Sequence, residues 1–368
     1  MSKSNSIKKL NSKRLSPANP DKPKQIIKKS SLSNPNKNKA SNEQPGIIEV
    51  YEDNFIEEIK HLSSLLDEYN YIGMDTEFPG TVFFAGNDSE DFYYQALKKN
   101  VDNLKLIQLG ITLTNEKGEF PKNYPYHTWQ FNLEFDKNTE LYRMNSINLL
   151  KECGIDFDKL KKKGIKHNIF AQYFMISNLV LNPDICWVSF QGSYDFGYLL
   201  KLLINTDLPD REEEFINLLD TYFINYYDIR MLIKGNDNFQ RGLNKLADQL
   251  EVRREGQIHQ AGSDSVVTID VFFKLKKSGF INNKKLEELK NVLHGIGKGQ
   301  DNDETINYTQ MGGMAYQSNN NNNLMYKYIP LNTNYMNMNY YNYPMMINNQ
   351  NNNLSLHRSN SGQIQTLI

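Results

Sequence analysis

The stretch YIGMDTEFPG, Tyr71–Gly80, predicts a buried β-strand that ends on two carboxylates. Successive side chains of a strand point to opposite faces of the sheet, so Asp75 and Glu77, two positions apart, lie on the same face. Two carboxylates side by side repel each other, and at least one of them should have a raised pKa unless a positive charge lies between them. A bound divalent cation would remove this repulsion, which makes the pair a candidate metal site.

An Asp-x-Glu pair is weak evidence for a metal when it is taken alone, because such pairs are common at solvated edges and at turns. Here apolar residues stand on both sides of the pair: Ile72 and Met74 precede it, and Phe78 follows it. Two charges among apolar neighbours are costly to bury without a cation or a partner. The flanking residues therefore favour a metal over a solvated edge.

Three more residues, which lie much further along the chain, could complete such a site. Asp195 follows the apolar run ICWVSF and opens a helix, and α/β sheets hold their ligands at the C-terminal ends of strands. By itself, Asp195 is more simply explained as a first-turn acid favoured by the helix dipole. His259 and Asp264 border the segment HQAGSD, whose small residues allow the start of a helix to approach a backbone or a ligand closely. Their ordinary interpretations are a surface histidine and a solvated first-turn acid.

The combination of these residues predicts chemistry with two metal ions. Asp75, Glu77, Asp195 and Asp264 offer oxygen ligands, which hard cations such as Mg²⁺ or Mn²⁺ prefer, whereas a zinc site would call for His and Cys. Two such ions about 3.5–4 Å apart would hold the attacking and the leaving oxygen of a phosphodiester. His259 would then be the general base that takes a proton from the attacking water.

The strand and helix patterns predict an α/β fold with a mixed central sheet flanked by helices. The runs Leu104–Asn115 and Tyr126–Phe135 are strand-like and should pair antiparallel, and Ile185–Phe190 is a short apolar strand. Asn54 or Asp53 is expected to cap the first helix. The first predicted helix carries Phe55, Ile59, Leu62 and Leu66 on one face. The other predicted helices are a segment around Ser89–Asn100, Ser146–Cys153, Phe157–Gly164, Asn168–Leu179, YDFGYLLKLLI, Arg211–Leu219, Leu243–Leu250 and a long helix from near Ala261.

Composition divides the chain of 368 residues into three parts. Residues 1–45 carry eleven Lys or Arg residues against Asp21 and Glu43, a net charge of +9, and we expect a disordered basic arm. Residues 301–368 form an Asn-rich, low-complexity tail. Residues 46–300 are expected to form one domain with a net charge of −9, which disfavours a simple nucleic-acid binder because that needs a positive face. Metal ions that contact phosphate for the protein would resolve this conflict.

The two cysteines and the apolar runs indicate the compartment. Cys153 and Cys186 lie far apart and in no CxxC pattern, which predicts a reducing compartment without a disulfide framework. No run reaches the roughly 18 apolar residues of a membrane span, and the N-terminus lacks the apolar core of a signal peptide. We therefore expect a cytoplasmic and nuclear protein that has no membrane partner.

The candidate residues, in this order, resemble the three motifs of the DEDD exonucleases of the His-containing branch. The motifs are Asp75-x-Glu77, Tyr194-Asp195 and His259-x-Ala261-x-x-Asp264. The surrounding stretches GMDTEFPG, NVDNLKLIQLGIT, SYDFGYLLKLL and HQAGSDSVVT are similar to the Caf/Pop deadenylases of the Ccr–Not complex, over roughly Val50–Gly299. Such a set in the correct order is far more specific than a lone Asp-x-Glu.

The resemblance implies a ribonuclease-H-like fold and 3′→5′ removal of poly(A) from messenger RNA with release of AMP. It carries over Asp75, Glu77, Asp195 and Asp264 as ligands of two divalent ions, and His259 as the base. It also implies docking to the large Not scaffold subunit and pairing with a second deadenylase subunit of the complex. The loop TVFFAGND after the first motif lacks the Arg-Pro that is usual in this family, which leaves the substrate or partner contacts there unassigned.

Two alternatives to a poly(A) exoribonuclease stay open. One is a catalytically silent scaffold or interaction subunit of the same complex, and the other is a general RNA or DNA exonuclease of the same superfamily. The presence of all four carboxylates and the histidine favours an enzyme. Phe78 and Phe190, which lie near the acids in sequence, are expected to be core residues rather than stacking platforms for RNA bases.

Overall fold

The structure is a computed structural model that describes residues 46–84, 91–300, 314–318 and 324–328. The predicted basic arm and most of the predicted Asn-rich tail lie outside the described residues. Within the tail, strands β7 (Met314–Ser318) and β8 (Leu324–Tyr328) pair antiparallel as a separate two-stranded sheet. None of the helices in the described part of the chain combines the length and the apolar character needed to cross a bilayer.

Six further strands form one mixed sheet. They are β1 (Ile47–Val50), β2 (Tyr71–Glu77), β3 (Gln108–Thr114), β4 (Thr128–Asn132), β5 (Cys186–Ser189) and β6 (Tyr226–Asp228). Their order across the sheet is β1-β4-β3-β2-β5-β6. β3 runs antiparallel to β2 and β4, whereas the pairs β1–β4, β2–β5 and β5–β6 are parallel. The predicted mixed sheet and the antiparallel pairing of its two long strands are confirmed.

Helices cover both faces of this sheet. They are α1 (Phe55–Ser64), α2 (Phe92–Asn103), α3 (Met144–Glu152), α4 (Phe157–Lys163), α5 (His167–Met175), α6 (Ser193–Ile204), α7 (Glu212–Tyr222), α8 (Ile229–Leu232), α9 (Leu243–Gln249), α10 (Ala261–Lys277) and α11 (Asn283–Leu289), followed by a 3₁₀ turn at Gly297–Gly299. The predicted helices are present with shifted boundaries. The helix expected around Ser89–Asn100 extends from Phe92 to Asn103, and Ser89 lies outside the described residues. The strand expected from Leu104 begins at Gln108.

The predicted cap of α1 is wrong in its mechanism. Asn54 stands at the N-cap position, but its side chain makes no capping hydrogen bond. Its Oδ1 accepts from the backbone N–H of Tyr51 at 2.8 Å, and its Nδ2 donates to the carbonyl of Glu49 at 3.1 Å. Both groups are therefore used to hold the turn between β1 and α1.

Strand β2 separates two apolar layers, and its alternation decides where the acids point. Ile72 and Met74 belong to the larger core, which β2 shares with α1, α2, α5 and α6. Gly73 faces the opposite way and contacts α10. Because side chains alternate along a strand, Asp75 and Glu77 share the face of Gly73 and look towards α10.

Small residues allow α10 to lie close against the sheet. A Cβ added at Gly110 of β3 would lie 1.9 Å from the carbonyl oxygen of Ala261, and one at Gly73 would lie 2.5 Å from that of Ser265. Neither gap can hold a side chain. The close approach expected from HQAGSD is thus present, and it brings the first turn of α10, with Asp264, to the end of β2.

Candidate active site

The carboxylates of Asp75 and Glu77 lie half-buried at the C-terminal end of β2. Burial raises the pKa of both groups well above their ordinary values, and the nearby charges of Asp264 and Asp195 raise it further. A raised carboxyl pKa means that the surroundings do not compensate the negative charge. A cation would be stabilised at this end of the strand.

Asp195 reaches the same place from the neighbouring parallel strand. β5 ends at Ser189, and α6 begins at Ser193, which puts Asp195 in the first turn of the helix. Its carboxylate is 7% exposed and accepts a hydrogen bond of 2.5 Å from Oγ1 of Thr76, the residue between the two acids of β2. Burial raises its pKa to about 7, although the Thr76 bond opposes this shift. The helix dipole alone therefore does not account for this buried acid.

His259 lies two positions before α10, in the left-handed region with φ = 60°. Its backbone N–H donates to Oδ2 of Asp264 at 2.9 Å, which holds this uncommon conformation against the acid. Its ring nitrogen Nδ1 lies 4.0 Å from Oε1 of Glu77. Burial lowers the pKa of His259 below its ordinary value of 6.5, so the ring is neutral at neutral pH and can accept a proton.

The structure brings three of the five predicted residues into direct reach of one another. Ligand atoms of Glu77, His259 and Asp264 lie within 4.8 Å of each other. Asp75 and Asp195 are outside this group, yet their charges act on the same acids. The five residues thus lie in one neighbourhood, while their catalytic and metal-binding roles stay predictions.

Arg254 is a component of the site that the sequence did not reveal. Its Nη1 lies 2.7 Å from Oδ1 of Asp264 and 2.8 Å from Oγ of Ser263, and its Nη2 donates to Oδ1 of Asn244. Its positive charge opposes the burial effect on the pKa of Asp75. The only signal in the sequence was its place in the loop before HQAGSD, where an arginine is more often solvated.

Two buried glutamines also escaped sequence analysis, and they fix the start of α10. The backbone N–H of Gly262 donates to Oε1 of Gln130 at 2.8 Å, and that of Ala261 to Oε1 of Gln108 at 3.3 Å. The amide groups of both glutamines donate in turn to Oε1 of Gln260. Side chains of β3 and β4 thereby satisfy N–H groups that a helix start leaves unpaired.

Phe78 and Phe190 are packed as expected. Phe78 stacks on Tyr194 and Tyr198, with ring centroids 5.5 and 5.0 Å apart, at the border of the larger core. Phe190 packs against the second core, which contains much of α10. Both side chains are partly buried and pack against a core without belonging to its fully buried set, so their assignment as core residues rather than stacking platforms stays a prediction.

The donor set fits hard divalent cations. The group that could hold an ion consists of two carboxylates and one imidazole and contains no thiolate, and the carboxylates of Asp75 and Asp195 act electrostatically on the same acids. Oxygen-rich sets of this kind suit Mg²⁺ or Mn²⁺, whereas zinc prefers nitrogen and sulfur. The raised pKa values of Asp75, Glu77 and Asp195 mean that the ionised carboxylates are disfavoured here unless a positive charge lies beside them, as a bound cation would.

A mixed sheet with an acid pair at the end of a central strand, joined by acids from the first turns of two helices, is the arrangement of the ribonuclease-H-like nucleases. Residues 50–168 match the model of the CAF1 family of ribonucleases. Probable CCR4-associated factor 1 homolog 7 of Arabidopsis thaliana is 42% identical over 258 residues, which cover 68% of this chain and 93% of the relative. Poly(A) ribonuclease pop2 of Schizosaccharomyces pombe is 39% identical over 257 residues, 68% of this chain and 75% of the relative.

Solved structures agree with these relatives. The S. pombe Pop2p structure with bound Mg²⁺ and Mn²⁺ superposes with a TM-score of 0.64 at 38% identity, over 68% of this chain and all of that one. A chain from the structure of the yeast NOT1 MIF4G domain co-crystallised with CAF1 superposes with a TM-score of 0.59 at 29% identity, over 67% of this chain and 96% of that one. The chain belongs to the CAF1 family of ribonucleases, and its ribonuclease-H-like fold is confirmed.

Proposed function

We propose that this protein is a divalent-metal-dependent 3′→5′ exoribonuclease that shortens poly(A) tails of messenger RNA and releases AMP. It would act as the catalytic subunit of a Ccr–Not deadenylase complex. The observation that carries the proposal is the convergence of the acids of β2, α6 and α10 with His259 in a member of the CAF1 family.

Asp75, Glu77, Asp195 and Asp264 would hold the metal ions, two per site, either Mg²⁺ or Mn²⁺. Bound ions would supply the positive charge that the transition state of phosphodiester hydrolysis needs. The presence of Mg²⁺ and Mn²⁺ in the related Pop2p structure supports the choice of ions.

The side chains around the acids have separate tasks. His259, neutral at neutral pH, would take a proton from the attacking water at Nδ1, the ring nitrogen 4.0 Å from Glu77. Arg254 holds one oxygen of Asp264, and the backbone N–H of His259 holds the other. Asp264 and the base are thereby fixed relative to each other before substrate arrives.

The relatives support the proposed substrate and partners. One of them is named a poly(A) ribonuclease and another a CCR4-associated factor, and a related chain is co-crystallised with a NOT1 domain. We therefore propose poly(A) RNA as substrate and a large Not scaffold and a second deadenylase as partner subunits. Such a protein would work in the cytoplasm and the nucleus.

The test is digestion of a 5′-labelled RNA that ends in oligo(A). With Mg²⁺ or Mn²⁺ the purified protein should give a ladder that shortens from the 3′ end, and EDTA should stop it. Asp75→Asn should abolish the ladder while the fold, followed by circular dichroism, is kept. Asp237→Asn, which changes an exposed acid on the surface, is the control and should be fully active.

Cleavage rates measured side by side on oligo(A), oligo(U) and single-stranded DNA distinguish the proposal from the alternatives. Equal rates on oligo(A), oligo(U) and single-stranded DNA would leave a general exonuclease and remove the poly(A) assignment. A wild-type protein that binds a Not scaffold but cleaves none of the three would be the silent interaction subunit.

A further inference from the structure

Phe84 is the most exposed aromatic side chain of residues 46–84 and 91–300, at 60%. It lies seven positions after Glu77, at the end of the described segment that follows β2. A phenylalanine ring is usually buried, because leaving it in water forfeits the free energy of burial. An exposed ring beside the candidate active site therefore indicates a surface that binds something.

The backbone that carries this ring is held in place. The buried side chain of Asn100 on α2 accepts from the N–H groups of Val82 and Phe83 at 2.7 and 2.9 Å. Its Nδ2 donates back to the carbonyl of Phe83 at 2.7 Å. These three bonds fix the chain immediately before Phe84, so the ring is presented from a preorganised segment.

A basic side chain lies over the ring of each phenylalanine in this segment, Phe83 and Phe84. The guanidinium carbon of Arg143 lies 5.9 Å from the centroid of the Phe84 ring, and Nζ of Lys99 lies 5.3 Å from that of Phe83. Residues 46–300 have a net charge of −9, so two cations on adjacent rings differ from the average of this surface. Aromatic rings interleaved with basic side chains are the usual means of holding single-stranded nucleic acid.

Helix α3 relates this surface to the acids. At its start, the N–H of Arg143 donates to the carbonyl of Pro79 at 2.9 Å. Beyond its end, the carbonyl of Cys153 accepts from Nε2 of Gln260, the neighbour of the predicted base, at 2.8 Å. A helix of nine residues spans about 13 Å. The ring of Phe84 is thus tied through Arg143 to the start of α3, and the neighbour of the predicted base is bonded to the residue just beyond its end.

We propose that Phe84, backed by Arg143, is a stacking platform for a base upstream of the 3′-terminal nucleotide of the RNA. The inference rests on the proposed function and assigns an RNA subsite to the surface formed by Phe83, Phe84 and the start of α3. Every base presents a flat π face, so the platform contributes affinity for the strand rather than selection of adenine.

The experiment measures binding of fluorescently labelled oligo(A) by anisotropy, with full-length protein in EDTA, where the strand is not cleaved. Phe84→Ala should weaken binding about 5- to 140-fold, the range for loss of one stacked base. Phe84→Tyr, which keeps an aromatic ring, should restore most of the affinity. Ile176→Ala, which truncates a 79% exposed apolar residue of the α5 end, is the matched control and should bind as the wild type does.

Three further readouts separate a subsite from a general structural effect. The loss should be seen with longer oligonucleotides and be absent with a dinucleotide, which cannot reach past the terminal position. It should be similar for oligo(A) and oligo(U). With Mg²⁺, Phe84→Ala should raise KM for oligo(A) and leave kcat near the wild-type value.

The inference fails if Phe84→Ala binds oligo(A) as tightly as the wild type, or if Ile176→Ala weakens binding equally. In either case a wild type that still shortens oligo(A) leaves the proposed function intact. Loss of binding to a Not scaffold fragment, with RNA binding unchanged, would identify a protein as the occupant and overturn the RNA assignment. A wild type that neither binds nor shortens oligo(A) would overturn the proposed function itself.

Discussion

Asp195→Asn is expected to make the metal-free protein more stable and inactive at the same time. Asp195 is 7% exposed, and burial raises its pKa to about 7 from an ordinary value of 3.8. At 1.36 kcal/mol per pKa unit, keeping this carboxylate charged in the fold costs on the order of 4 kcal/mol. The amide has the same shape and can still accept the bond from Thr76 Oγ1, so the substitution removes little besides the charge.

The gain in stability should depend on pH in one direction. Because the pKa of Asp195 is raised in the folded state, the unfolded chain loses this proton first as the pH rises. The wild type therefore loses stability relative to Asp195→Asn between about pH 4 and pH 7, and the difference is constant above that range. Near pH 3 both proteins carry a neutral group at this position and should unfold at similar urea concentrations.

The assay is urea unfolding in EDTA at pH 4 and pH 8, followed by circular dichroism, with Asp237→Asn as the control that removes an exposed acid. Addition of Mg²⁺ at pH 8 should stabilise the wild type more than Asp195→Asn, because only a protein that binds the ion gains from it. Equal urea midpoints for the wild type and Asp195→Asn at pH 8 without metal would refute the idea of an uncompensated buried charge. So would a difference that is as large at pH 4 as at pH 8.

Three other features of the structure can be tested in the same way. Arg254→Met should lower the free energy of unfolding in EDTA by about 3 kcal/mol, because it leaves the buried carboxylate of Asp264 without its ion-pair partner. Arg253→Met, which replaces the exposed arginine next to it, is the control and should change this free energy little. The activity at saturating metal should rise with pH through the lowered pKa of His259 and be flat by pH 7; a midpoint above 6.5 would contradict its role as a neutral base. Gly110→Ala should lower the free energy of unfolding by about 3 kcal/mol, since its methyl group would meet a backbone carbonyl. Gly242→Ala, whose added carbon meets no atom of another segment within 4 Å, should lower it far less, by the cost of placing Ala at the N-cap of α9.

The sequence determined the elements and the acids because their signals are local. The apolar alternation of Ile72 and Met74 identified β2, and the same period of two put Asp75 and Glu77 on one face of it. The small residues of HQAGSD indicated a helix start that could approach a backbone, and the structure has this close approach at Gly110. These patterns need only neighbours in the chain, so they survive without knowledge of the fold.

Only the tertiary structure decided which of these acids is compensated and how the site is held. Arg254, Gln108 and Gln130 are distant in sequence from one another, and their polar groups meet at the start of α10 only because a loop and two strands fold against it. A polar side chain binds the partner that the packed chain brings nearest, and that choice depends on contacts between residues many positions apart.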